Sequence, residues 1–187
     1  MSRLVYRHNA VDRFIVGTVG EPGERTFFLQ IISPASSNCI ALEKTQVQAL
    51  IERLQLMIRE LRRNKLASSD QLNQPGIRDE GQLEYPITED FRAGVIAISY
   101  EQGSQHIDLQ IQALSDETFT ELVEEGDEDS DEETPDLLIA SLSIAQVRGF
   151  CERASAVVSA GRVPCPFCGI PLNPEGHLCP RANGYRR

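Results

Sequence analysis

Two amphipathic stretches set the terms on which this chain can fold. Across 44–66, Val47, Leu50, Ile51, Leu54, Ile58 and Leu61 recur at helical spacing with charge on the opposite face. One hundred positions later Gln46-Val47 and Glu52-Arg53 return as Gln146-Val147 and Glu152-Arg153, with Val147, Phe150, Cys151 and Ala154 at the apolar positions. Ser143 and Gln146 form a capping-box pair ahead of this second helix, expected over 144–160, and Gly161 stands where a C-terminal glycine belongs.

Each helix follows three apolar, β-branched runs. In the first half VDRFIVGTVG (11–20) and RTFFLQIIS (25–33) flank a turn at EPGE, and Cys39–Leu42 completes the set. In the second half the runs are GVIAISY (94–100), HIDLQIQAL (106–114) and Leu137–Leu142, and Leu109-Gln110-Ile111 repeats Leu29-Gln30-Ile31. The offset grows by twenty between the strands and the helices, about the length of the acidic insertion that separates them. Chance likeness between two amphipathic helices is the competing account. The expected fold class is α+β, made of duplicated β-β-β-α units with pseudo-twofold symmetry, plus a C-terminal zinc-knuckle-like loop. The division that follows is a duplicated α+β domain over 1–163 and a zinc-binding tail over 164–187. Repeat one covers 11–66, a linker 64–92, and repeat two 93–161 with the acidic insertion at 115–136. The linker is polar, carries Pro75, Gly76, Gly81 and Pro86, and is long for a compact domain, so part of it is expected to be mobile.

The net charge of −10 comes from one place: twelve of the 28 acidic residues lie between Asp116 and Asp136, where there is no Lys or Arg. The other 16 acidic residues face 18 basic ones, so the rest of the chain is nearly neutral. The acidic run lacks the alternating ligands, central Gly and closing Glu of a calcium loop and reads as a solvated, disordered insertion. No apolar run approaches the ~18 residues of a membrane span, and MSRLVYRHNAVDR lacks the apolar core of a signal peptide. Five cysteines, an odd number with three clustered, fit a reducing cytoplasm better than a disulfide framework. A cytoplasmic protein with no membrane partner is therefore expected.

The cluster is in the tail, PCPFCGIPLNPEGHLCPRANGYRR. Zinc takes four thiolate or imidazole ligands in a tetrahedron, and C-x-x-C lets one tight turn aim two sulfurs at one ion. Cys165 and Cys168 supply that half, His177 and Cys179 the other, with Pro166 stiffening the turn and Gly169 free to take a positive φ. H-x-C is less regular than a second C-x-x-C; without His177 the fourth place falls to water, a partner's side chain or a second copy. The main rival is redox chemistry, since CPFC resembles the CPYC of glutaredoxins, but that needs the first cysteine at a helix N-terminus after a strand. A disulfide is a third alternative.

The other reactive side chains read blandly. Cys151 and Cys39 are core residues, and His8 and His106 surface or capping residues. Gly17–Gly23 looks like a phosphate loop, but a strand follows where the cradle needs a helix. No Ser-His-Asp, H-E-x-x-H, Walker or kinase pattern occurs. Arg162, Arg181, Tyr185, Arg186 and Arg187 form a nucleic-acid contact on the alternative reading, with arginines on phosphates and the tyrosine on a base.

GTVGEPGERTFFLQ, ALEKTQV, the acidic insertion and the CPFC-to-YRR ending together resemble an actinobacterial family of uncharacterised proteins, domain of unknown function three thousand and ninety. The resemblance implies a cytoplasmic protein, carries over no catalytic residue, and supports Cys165, Cys168, His177 and Cys179 only as parts of the closing motif. The expected function is a non-catalytic, zinc-stabilised interaction or regulatory protein with a protein partner. The alternatives are a nucleic-acid-binding module, expected to gather Arg3, Arg7 and Arg13 beside the tail arginines, and an enzyme with a site at the seam between the repeats.

Overall fold

The computed structural model describes residues 3–21, 23–115, 134–161, 164–170, 172 and 176–181. The acidic insertion lies almost wholly outside them. The elements run β1 (Val5–His8), β2 (Arg13–Val19), β3 (Thr26–Ser33), β4 (Ser36–Leu42), α1 (Lys44–Arg63), α2 (Ser69–Asn73), β5 (Phe91–Glu101), β6 (His106–Ala113), β7 (Leu137–Leu142) and α3 (Ile144–Ser159). All seven strands join one sheet in the order β1-β7-β6-β5-β4-β3-β2. The mixed α+β class is thus as expected, and β2-β3-β4-α1 and β5-β6-β7-α3 follow the same order.

Within each half the strands are antiparallel, β6 and β7 being joined through the acidic insertion; the halves meet where β4 lies parallel to β5 over two pairs, Ile40 with Phe91 and Ala41 with Arg92. At the far edge β1 lies parallel to β7, with His8 opposite Ala140. In a flat sheet β1 and β3 would stand five strand spacings, about 24 Å, apart. Yet the His8 ring on β1 bonds Ser33 Oγ at the end of β3 at 3.0 Å and Asn38 Oδ1 on β4 at 2.9 Å. The sheet must therefore roll toward a barrel.

His8 is 1% exposed, which overturns its expected surface role. With the proton on Nε2 the ring donates to Asn38 and accepts from the Ser33 hydroxyl, so burial leaves neither nitrogen without a partner. Both partners lie at least 25 residues away, where local sequence gives no sign of them. β1 itself was not foreseen: its pattern is only half apolar, because its job is to seal an edge.

The roll encloses Val16, Leu29, Ile31, Leu109, Leu138 and Leu142, and the two helices close it with Leu54 and Phe150. Phe150 stacks on Phe14 of β2 at 4.3 Å between ring centroids. Cys39 and Cys151 are buried, as their apolar positions required, and burial drives their thiols up to about 11 and about 12. The helix starts are built alike. Glu43 N–H donates to Gln46 Oε1 and Ser143 N–H to Gln146 Oε1, both at 2.9 Å. The same two amides then tie each helix to the opposite half, Gln46 Nε2 to the Ala93 carbonyl and Gln146 Nε2 to the Val11 carbonyl.

The 64–92 connection differs most from expectation. Instead of a partly mobile run, α2 and the extended segment after it are fastened along α3 and β2. Arg148 donates to the carbonyls of Leu72 and Gln74, and Ile77 N–H to the Ala145 carbonyl at 2.9 Å. Arg153 donates to the carbonyls of Val16 and Asp79. Asp79 clamps Arg13 with two bonds, 2.6 and 3.0 Å, and Gln30 grips Glu84 through both backbone groups at 2.8 Å. Gly76 and Gly149 meet backbone to backbone, and a Cβ on Gly149 would overlap the Ile77 carbonyl. The polar backbone of this segment is satisfied by distant side chains, so composition could not reveal its order.

Candidate metal centre

The tail condenses around its cysteines. Gly169 N–H donates to the Cys165 carbonyl and Cys165 N–H to the Ile170 carbonyl, each at 2.8 Å, closing the C-x-x-C stretch into a tight turn. Gly169 takes the anticipated positive φ, 75°, and Gly176 does the same at 85° just before His177. Within this segment Cys165 and Cys179 are buried, while Cys168 and His177 are half-buried.

One ligand atom from each of Cys165, Cys168, His177 and Cys179 lies within 4.8 Å of all the others, and no other such group occurs among the described residues. Cys165 Sγ and Cys179 Sγ are 3.8 Å apart. That is the edge of a tetrahedron with bonds of about 2.3 Å to sulfur. Cys168 Sγ and His177 Nε2 stand closer, at 3.1 Å, held by a hydrogen bond. A metal between them would open that edge to about 3.6 Å. The donor set therefore fits a tetrahedral ion. His177 Nδ1 is buried with no partner among the described residues, which leaves Nε2 as the ring atom turned to the sulfurs.

Two sulfurs differ electrostatically. Desolvation opposes a Cys165 thiolate, but the N–H groups of Cys168 and Phe167 and the neighbouring sulfurs outweigh it and hold the thiol below its ordinary value. Cys168 is pushed up by desolvation, only partly offset by the Ile170 N–H, and by its two sulfur neighbours. Among the described residues no helix follows the CPFC turn to supply the dipole that a glutaredoxin-like thiolate depends on.

Of the tail residues read as nucleic-acid contacts, Arg181 is described, and it folds back to donate to the Phe167 carbonyl at 3.2 Å. Arg162, Tyr185, Arg186 and Arg187 lie outside the described residues. Arg13 is half-buried and spent on Asp79, Glu84 and the Gln82 carbonyl, so it does not join a basic face. His106 caps its own turn through the Ser104 carbonyl.

At the seam between the halves a groove of about 480 Å³ runs between α1 and β5, lined by Gln46, Ala49, Leu50, Arg53, Gly94 and Ile98 among others. Arg53 is its one ionisable lining residue, so it holds no nucleophile beside a base. A site at the seam belonged to the enzyme alternative, though not with this lining; the Arg153 and Gln30 clasps on the 76–84 segment were not anticipated, and their one available signal was the recurrence of Arg53 as Arg153 and of Gln30 as Gln110.

Residues 6–179 match the family model described as "Protein of unknown function (DUF3090)". The chain belongs to this family. No curated protein and no solved structure matches the chain. Membership thus spans the body and the four-ligand cluster, and brings no activity with it. Among the described residues no helix is long and apolar enough to cross a membrane.

Proposed function

We propose that this family member is a non-catalytic interaction or regulatory protein of the cytoplasm, with a zinc-stabilised tail and a protein partner. The observation that carries it is the convergence of four Cys and His ligand atoms within 4.8 Å in a stretch whose described residues contribute nothing to the core cluster. Zinc would supply a structural cross-link there, held by Cys165, Cys168, Cys179 and the His177 Nε2 atom. Among the described residues, the hydrogen bonds of 164–181 close within that segment, so cross-linking would order the tail. The body is two β-β-β-α units descended from one. Support comes from matched roles: Gln46 and Gln146 tie their helices to matching sites, Ala93 and Val11, at the head of β5 and just before β2. Metal analysis of protein purified without added zinc tests the tail. About one zinc per chain is expected, falling toward none in Cys165→Ser; a metal-free parent protein would sink the proposal.

A further inference from the structure

The halves are alike in build and unlike in what covers them. In the second half, the face shared by α3 and β2 is occupied by the chain's own extended segment 76–84. Ala145 and Gly149 are buried beneath it, Arg148 and Arg153 are half-buried, and β2 is buried from Phe14 to Gly17. In the first half, Thr45, Gln48, Ala49 and Arg53 hold the corresponding positions on α1 and all are exposed. On β5, residues 95–98 are only half-buried, and β5 leaves its partner β4 after Arg92, so the groove opens along a strand edge. Nothing among the described residues lies in it.

Of the side chains that grip the 76–84 segment, Arg153 has its counterpart in this empty groove and Gln30 has its counterpart on the strand beside it. Arg153 holds the Asp79 carbonyl and lies 3.8 Å from its carboxylate; its counterpart Arg53 lines the groove and has no ion pair among the described residues. Gln30, opposite Ile15, grips the Glu84 backbone with its amide. Gln110, its counterpart, stands opposite Ala97, and its side chain has no hydrogen-bond partner among the described residues. Arg59 extends the rim of the groove past Arg53, with Glu52 on the same rim and Leu56 42% exposed beside them.

We propose that the α1/β5 groove docks an extended acidic segment of a partner protein, carrying Asp or Glu where the covered groove holds Asp79. In the covered groove Ile77 is 56% exposed and docks through its backbone N–H, so the main chain and the carboxylate define the fit, not an aliphatic anchor. The carboxylate pairs with Arg53, Gln110 takes the backbone, and the segment covers Ile96 and Ile98. The fit differs in one respect: Ala49 replaces Gly149, so the docked backbone rides higher than 76–84 does. This deepens the protein-partner reading above and rests on it.

A labelled peptide with the sequence of residues 74–86, titrated into the full chain and followed by anisotropy, tests the site. Expected are saturable binding, a loss of roughly tenfold or more in Arg53→Glu, and a gain in Ala49→Gly, which restores the deeper seat. Arg53 and Ala49 are exposed, so Arg53→Glu should melt like the parent and Ala49→Gly should lose only the helix propensity of glycine, about 1 kcal/mol. Binding that ignores Arg53→Glu overturns the site, as does no binding to either the parent or Ala49→Gly up to millimolar peptide. Metal content measured on the same samples separates the two proposals: zinc without peptide binding removes the docking site alone, and peptide binding without zinc removes the metal centre alone.

Discussion

At the scale of single residues, burial decides which titratable groups matter. Asp79 is held below the usual carboxylate range, chiefly by its hydrogen bonds from Arg13, with the Gly81 N–H and the Arg13 and Arg153 charges adding to it. A depressed folded-state value means that the stabilisation is complete above the unfolded value of about 3.9 and is lost as pH falls through the folded one. Asp79→Asn should therefore lower stability at neutral pH and flatten the fall below about pH 4 in acid melts; an unchanged acid limb would show that the clamp carries no linkage. His8→Ala would leave Ser33 and Asn38 facing a cavity, and a loss of about 2–4 kcal/mol is expected by urea denaturation. Gly169 and the clustering of Cys165, Cys168, His177 and Cys179 were legible in the sequence, because C-x-x-C spacing and a following glycine are local geometry. His8 was not, since its partners come from another pair of strands.

Helices and strands were the most readable scale. The apolar periodicity of 44–66 and the Ser143–Gln146 box place α1 and α3 close to where they occur, and the box is formed in full. Ser143→Ala should cost about 1 kcal/mol of stability through the lost cap. The 64–92 connection was legible in length and polarity alone. Its order depends on Gly149, where a Cβ would strike the Ile77 backbone rather than a yielding side-chain tip. Gly149→Ala is expected to destabilise by about 1–3 kcal/mol and to raise amide exchange over 76–84. Ala49→Gly serves as the control: exposed and with nothing above it, it should change stability only by the helix propensity of glycine, about 1 kcal/mol, and leave that exchange alone.

For the molecule as a whole, the core cluster among the described residues lies in the body and includes none of the tail, so the two should come apart on metal removal. Chelation should leave the main thermal transition in place while tryptic cutting at Arg181 accelerates; a body that melts with the tail would contradict this independence. The order β-β-β-α, twice over, and the Cys and His cluster were already written in the chain, because hydrophobic period and motif spacing act over a few residues. Three things waited on tertiary structure: the roll of the sheet that brings His8 to Asn38, the fastening of 76–84 across α3, and the open groove that Arg53 lines. Each arises from groups dozens of residues apart meeting in space, and the energy of such a meeting belongs to the pair and to the solvent they exclude, so neither residue alone announces it.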